Sequence, residues 1–209
     1  MAVIPAHAQQ LLVRPEFGNE EVSVGAGASL IYVFFIGDTQ GSHSLIVRLA
    51  GDRATANILG FEIGNKHASS FTLDMIHESP RTTGRARLKS VLGGSAKSDV
   101  RGMIRVEKAA QGADGYFTHN TLLLSRDARG TTSPALEIEA NEVKASHAAT
   151  IHHFDADMLF YLGSRGIHEV CAKEMILTSF VSEYVGEIPD AAVRRDCEGL
   201  LQKKLRGFI

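Results

Sequence analysis

The sequence has few of the residues that define several protein classes. It contains two cysteines and no tryptophan, and its formal net charge is −2. The cysteines, Cys171 and Cys197, do not form a CxxC pair, so one chain cannot build a disulfide framework or a four-thiolate metal site. Its 22 Lys and Arg residues are spread along the chain and form no basic stripe for nucleic acid or an anionic membrane. We expect neither partner.

The sequence also has no long apolar run. The longest, Leu30 to Ile36, is too short to span a bilayer, and the opening MAVIPAHAQQ lacks the basic flank and long apolar stretch of a signal peptide. Neither a GxxxxGKS/T phosphate loop nor a GxSxG serine elbow occurs. We therefore expect a cytoplasmic protein that is not an enzyme of these classes.

Residues 1–153 have the pattern of short strands separated by turns. Turn residues such as Gly51-Asp52 recur between runs in which apolar and polar residues alternate, as Leu136 and Ile138 alternate with Glu137. The apolar face of each run, here that of Leu136 and Ile138, is predicted to be buried. Strand follows strand without a helical pattern, which leaves a β-sandwich, a β-barrel or a β-solenoid. Several turns lie about 13 residues apart, so a two-strand coil would repeat about every 26 residues. The pattern alone favours the commoner sandwich.

From residue 154 the apolar spacing becomes helical. Asp155 is a predicted N-cap for a short first helix, and Gly166 is placed to end that helix in a left-handed conformation. Pro189 suits the first turn of a third helix that ends near Leu205. The second helix has an apolar stripe formed by Leu177, Phe180, Val181, Tyr184, Val185 and Ile188. We predict a β domain at 1–153 and a helical domain at 154–209, which needs the β domain or a partner to pack against.

The stretch LEIEANEVKASHAAT, residues 136–150, places a histidine where an apolar residue is expected. In a regular strand His147 shares one face with Ala145 and Ala149. A single histidine on such a face is more often a hydrogen-bonded core residue than a ligand. The residue pattern therefore leaves both interpretations open.

Two longer stretches resemble the C-terminal half of the SufB/SufD family of iron–sulfur cluster assembly proteins. They are YFTHNTLLLSRDARGTTSPALEIEANEVKASHAAT and DADMLFYLGSRGIHEVCAKEMILTSFVSEYVGEI, within a resemblance that runs from about Arg85 to Ile188. The resemblance implies a right-handed parallel β-helix, that is a β-solenoid, followed by a small helical domain. It also implies a scaffold that pairs with a second subunit and binds the ABC-type ATPase SufC through its C-terminal helices. The chain is short for this family.

The resemblance assigns candidate assembly residues. The histidine of the family's CSHGAT motif corresponds to His147, whereas Ala145 replaces the cysteine of that motif. Asn120 takes the position of the SufB assembly cysteine, which makes the chain SufD-like, and His119 precedes it. A coil of about 26 to 28 residues would place His119 and Asn120 one coil below His147. Clusters need thiolate or imidazole ligands, and His147 is one metal ligand per chain. We therefore expect no cofactor in a single chain, and a transient iron–sulfur cluster or metal only at a subunit interface.

Two further expectations concern partners. Arg165, Gly166 and Ile167 form a corner between two helices and are candidates for docking a SufC-like ATPase, although Arg165 at a helix C-terminus also complements the helix dipole. The other partner is a SufB-like subunit or a second copy of the chain, and regular strand pairing at Val143 to Ile151 predicts a homodimer with His147 near its axis.

Two functional classes remain open. The first is a non-enzymatic scaffold or adaptor of the SUF system. The alternative is a β-helical binding or carbohydrate-active protein with Glu137 and Glu139 as an acidic pair, although both residues are predicted on the solvent side of a strand.

Overall fold

The structure is a computed structural model and describes residues 1–208. The chain forms twelve strands followed by three α-helices and a short 3-10 turn. The strands are β1 Ala2–Ile4, β2 Gln9–Arg14, β3 Asn19–Val24, β4 Ser29–Ile36, β5 Gly41–Leu49, β6 Thr55–Gly64, β7 Ala68–His77, β8 Thr83–Leu92, β9 Lys97–Val106, β10 Ala113–Leu123, β11 Arg129–Ile138 and β12 Val143–His153.

The strands alternate between two six-stranded parallel sheets. Sheet A has the order β1-β3-β5-β7-β9-β11, and sheet B has the order β12-β10-β8-β6-β4-β2. Because each pair of successive strands adds one strand to each sheet, the chain winds as a solenoid. The solenoid implied by the family resemblance is confirmed, and the sandwich favoured by the residue pattern alone is wrong.

The coils differ in length. Register partners are 26 residues apart at Ser29 and Thr55, but 32 apart at Lys97 and Arg129. The predicted repeat of about 26 residues is therefore too short for the later coils. This difference shifts which side chains meet at the C-terminal end of the solenoid.

Aromatic rings and glycines fill the space between the sheets. The ring of Phe34 lies 4.6 Å from that of Phe17 and 5.0 Å from that of Phe71, measured between centroids. A ring can enter the narrow interior only where the facing residue is small: a Cβ atom at Gly102 would lie 2.3 Å from Cζ of Phe117. Such large and small pairs give the core the close packing of protein interiors.

The helices are α1 Ala156–Ser164, α2 Glu169–Val185 and α3 Ala191–Leu205, followed by the 3-10 turn Arg206–Phe208. Asp155 caps α1 as predicted, and its side chain accepts from the N–H groups of Asp157 and Met158. Pro189 does not lie in the first turn of α3 as predicted. Asp190 is the N-cap instead, because its carboxylate accepts two N–H groups of the first turn.

The helices pack on the outer face of sheet B. Leu59, Phe61 and Val91 of the sheet form one apolar cluster with Leu177 and Val181 of α2. The C-terminal halves of strands β6 and β8 are therefore buried on both faces. The helical segment has its core in common with the solenoid, as its small size requires. Among residues 1–208, every helix is too short or too polar to cross a membrane.

Candidate functional site

The last two strands leave the solenoid open at its C-terminal end. β11 and β12 are terminal strands of their sheets and each has a neighbour on one side only; we call their free edges the open end. Leu136, Ile138 and Ile151 lie there and are 37%, 42% and 45% exposed. The alternation predicted that Leu136 and Ile138 would be buried. They are exposed because no further coil covers the last one.

His147 lies on the terminal strand β12. Its register partner on β10 is Phe117, which is completely buried inside the solenoid. Paired residues of parallel strands point to the same side of a sheet, so His147 belongs to the inward-facing row, on the face predicted for it. The imidazole is nevertheless exposed, because this row ends at the open end.

His119 and Asn120 lie on the strand next to β12 but are not opposite His147. Their register partners are Ala149 and Thr150, since this coil is 30 residues long instead of the predicted 26 to 28. Successive residues of a strand face opposite sides, so His119 points into the solenoid and Asn120 points out. The three candidate assembly residues therefore do not form one cluster within the chain.

Asn120 connects three elements. Its Oδ1 accepts a 2.6 Å hydrogen bond from the hydroxyl of Thr150 on β12, and its Nδ2 donates a 2.9 Å bond to the hydroxyl of Tyr184 on α2. The amide thus joins the terminal strand to the helical segment. Both the oxygen and the nitrogen of the Asn120 amide are therefore hydrogen-bonded within the fold.

His119 is buried between the two sheets. One ring nitrogen, Nε2, lies 2.8 Å from the hydroxyl of Ser90, and the other, Nδ1, lies 2.8 Å from the hydroxyl of Thr132. Burial lowers the pKa of His119 from 6.5 to about 4. The imidazole is therefore neutral at physiological pH.

The predicted docking corner ends helix α1. Gly166 has a φ of +83°, and the N–H groups of Gly166 and Ile167 donate to the carbonyls of Gly163 and Leu162. This is a Schellman motif, so Gly166 and Ile167 have a structural role as a helix end. Arg165 is exposed, and its guanidinium carbon lies 5.3 Å from the ring centroid of Tyr161.

Exposed apolar side chains surround this corner. Phe160 is 80% exposed, and Met158, Tyr161 and Met175 are about half exposed; we call these four residues the helical surface. Three of them line a groove of about 620 Å³ between α1 and α2. Sequence reasoning missed this surface, although the run MLFYL is apolar on every side of a short helix, which is more than packing against one neighbour requires.

Lys89 anchors α2 beside this groove and was also missed. Its ammonium group donates to the carbonyl of Phe180 and to the carboxylate of Glu183, and it lies 4.4 Å and 4.6 Å from the ring centroids of Phe180 and Tyr184. A buried lysine requires such partners. The alternation of Arg87 and Lys89 with apolar residues indicates a strand with basic residues on one face, and this pattern could have pointed to Lys89.

The described part of the chain offers few side chains that could bind a metal or act as an acid. Within residues 1–208, no three His, Cys, Asp or Glu side chains lie close enough together to hold a metal ion. Burial raises the pKa of the Cys197 thiol to about 11. Glu137, one of the predicted acidic pair, is bound 3.0 Å from Nη2 of Arg105.

An open-ended parallel solenoid with an apolar helical surface is the class of protein that these features define. Comparison with known proteins gives the family: residues 15–180 match the family model for "SUF system FeS cluster assembly, SufBD core domain". The chain belongs to this SufBD family, as its sequence motifs predicted. Membership supports a role in iron–sulfur cluster assembly by the SUF system.

Individual relatives agree with this assignment. The iron–sulfur cluster assembly protein SufD of Escherichia coli (strain K12) is 30% identical over 176 residues, which are 83% of this chain and 41% of that protein. SufD of Bacillus subtilis (strain 168) is 29% identical over 81% of this chain and 39% of its own length. A SufBD family protein of Synechocystis is 36% identical over 51% of this chain and 23% of its own. The chain spans about two fifths of the length of both SufD relatives.

Proposed function

We propose that the chain is a non-enzymatic, cytoplasmic scaffold of a SUF system, which docks a SufC-like ABC ATPase on its helical surface. At its open end it pairs with a SufB-like subunit or with a second copy of itself. Family membership supports the role in cluster assembly. The observation that carries the docking proposal is the exposed helical surface.

The helical surface has the composition of a protein-binding site. Aromatic residues, methionine and arginine are enriched in the centres of interfaces, and Phe160, Tyr161, Met175 and Arg165 occur together here. Methionine side chains also adapt their shape to a partner. A partner that covers Phe160 removes from water the most exposed aromatic ring of this surface.

The open end supports pairing with another subunit. Its strands present unpaired backbone N–H and C=O groups, and such an edge can add a strand from another chain. Leu136, Ile138 and Ile151 supply apolar area next to that edge. A cluster or metal at this end would take His147 from this chain and further ligands from the partner.

Binding of the purified SufC-like ATPase from the same organism tests the docking proposal. Phe160→Ala should weaken the affinity at least about tenfold, which is about 1.4 kcal/mol, because truncation of an aromatic hot-spot residue costs roughly 2 kcal/mol or more. Val3→Ala is the control, since Val3 is an exposed apolar residue on β1, which belongs to sheet A, whereas the helices pack on sheet B. Equal affinities of the two variants would contradict docking on the helical surface.

A further inference from the structure

A group of polar side chains lies inside the solenoid, where the other strands contribute mainly apolar residues. It spans both sheets and is connected throughout by hydrogen bonds. Its members are Glu62, Ser69, Ser90, Ser98, His119, Thr121 and Thr132.

Glu62 is the inner end of this group. Its side chain is buried, and its two carboxylate oxygens accept hydrogen bonds from the hydroxyls of Ser69, Ser90 and Ser98. Among the ion pairs of residues 1–208, none includes Glu62. Burial of a carboxylate without a cation is costly, so a chain that only needed a stable core would do better with an apolar residue here.

The hydrogen bonds have one consistent direction. Ser90 has a single hydroxyl proton, and it donates that proton to Oε2 of Glu62 at 2.6 Å. The 2.8 Å contact between Ser90 Oγ and His119 Nε2 then requires the imidazole to be the donor. In a neutral imidazole the other nitrogen is an acceptor, so Nδ1 of His119 accepts from the hydroxyl of Thr132.

The path leads from the interior to the open end. It passes from Glu62 on β6 through Ser90 on β8 and His119 on β10 to Thr132, which is partly exposed on the terminal strand β11. The cavity beside the first three residues has a volume of about 10 Å³, which holds at most one water molecule. No larger species can use this path.

The charges around the path are few. The titratable side chains that line the cavity are Glu62, His119 and Lys89. The ammonium group of Lys89 is directed to the outer face of the sheet, where it binds the Phe180 carbonyl and Glu183. The carboxylate of Glu62 is therefore the proton acceptor at the inner end of the path.

We propose that Glu62, Ser90, His119 and Thr132 form a proton relay between the solenoid interior and the open end. A proton from solvent binds the Thr132 hydroxyl, which passes its own proton to Nδ1 of His119. His119 releases its Nε2 proton to Ser90, and Ser90 passes its hydroxyl proton to Glu62. One proton leaves the solvent and Glu62 becomes a neutral acid; the reverse sequence returns the proton.

The relay ends at Thr132, next to the open end where a metal or cluster would be bound, and this position suggests its role. Metal ligands lose protons when they bind a metal, and the relay would accept protons released at the open end. This use rests on the function proposed above, whereas the relay itself can be tested on the chain alone, without ATPase, iron or a second subunit. Failure of one proposal is thus distinguishable from failure of the other.

The first test is the tautomer of His119. Nitrogen-15 NMR of the histidine-labelled protein at pH 7 should show a protonated Nε2 and an unprotonated Nδ1, with resonances assigned by their loss in His119→Gln. The opposite tautomer would overturn the relay, because Ser90 could not then donate to Glu62.

The second test is the rate at which Glu62 takes up a proton. After rapid acidification, infrared spectroscopy should detect a carboxylic acid C=O band that is missing in Glu62→Gln. Thr132→Val should slow the appearance of this band at least tenfold, whereas Thr121→Val should leave it within twofold. Thr121 also contacts His119, at 3.3 Å, but is fully buried and gives no outlet. Equal rates in the two variants, or no band before unfolding, would show that the group is only structural.

Discussion

The hydroxyl of Thr150 donates a 2.6 Å hydrogen bond to Oδ1 of Asn120, across the last two strands of sheet B. Since Nδ2 of Asn120 also donates to Tyr184, its replacement should affect the terminal strand and α2 together. We expect Asn120→Ala to lower the free energy of unfolding by about 1–3 kcal/mol, because it leaves polar partners unsatisfied. Urea denaturation measures this loss, and hydrogen exchange of β12 should increase.

Thr131→Ala is the control for this prediction, since Thr131 is exposed on the terminal strand β11. Its effect on unfolding should stay within about 0.5 kcal/mol. An Asn120→Ala variant as stable as the control would mean that the bonds to Thr150 and Tyr184 contribute nothing to the attachment of β12.

Two buried histidines predict a pH dependence of stability. Burial lowers the pKa of both His77 and His119 from 6.5 to about 4. Between pH 6.5 and 4 the unfolded chain therefore binds protons that the folded chain does not, so stability is complete above pH 6.5 and falls as the pH decreases. Each histidine should contribute a slope of about 1.4 kcal/mol per pH unit.

Unfolding free energies measured from pH 7 to pH 4 test this sign. His77→Gln should remove about half of the histidine contribution to the slope. Thr131→Ala, at an exposed position that carries no titratable group, should leave the slope unchanged. A slope that is the same in all three proteins would show that His77 is protonated in the folded state.

The missing thiolate gives a prediction about metal retention. Ala145 and His147 lie in the same inward-facing row of β12, two residues apart. We expect Ala145→Cys to increase the zinc or iron retained after purification, because a thiolate and an imidazole then face the same side. Ser146→Cys is the matched control, with a thiol on the opposite face. Elemental analysis that finds equal metal in both variants would contradict a metal-binding role for this row.

Sequence patterns predicted local structure better than contacts between coils. Alternation located the strands, and Asp155 was identified as a cap because one carboxylate next to a helix start is a local signal. The length of a coil depends on the turns between its strands, and no local pattern determines how many residues these turns contain. The predicted neighbour of His147 was therefore His119, two residues away from its actual partner Phe117. The group around Glu62 was not predicted at all, because its members come from six strands and meet only through the winding of the chain.

Arg165 provides a graded test of the helical surface. Its guanidinium is exposed and lies over Tyr161, so a partner that covers this ring also contacts the charge. We expect Arg165→Ala to weaken binding of the SufC-like ATPase by more than about twofold, and Arg165→Lys to weaken it less, since it keeps the charge but loses the planar group. An affinity of Arg165→Ala within about twofold of the unmodified chain would assign Arg165 to the helix dipole alone.

The open end predicts a homodimer in isolation. An apolar edge of this kind is stabilised when a second copy covers it, and a two-fold axis would let β12 pair with itself. Light scattering should therefore show a dimer that Ile151→Lys converts to a monomer, because a charge would be buried at the new interface. Val3→Lys, at an exposed apolar position on β1, should remain dimeric. A monomeric parent chain at high concentration would contradict self-pairing.

Cross-linking tests the position of the axis. If antiparallel β12 strands meet at His147, the two His147 Cα atoms lie about 4.5–5.5 Å apart, within the range that a disulfide spans. In a Cys171→Ser background, which removes the exposed native thiol, His147→Cys should form a covalent dimer on mild oxidation. His153→Cys, at the end of the same strand, should not, because symmetric pairing about residue 147 separates its two copies by about twelve residues of strand, or roughly 40 Å. Cross-linking of His153→Cys in preference to His147→Cys would displace the axis and separate the two imidazoles, so that no shared metal site could form between them.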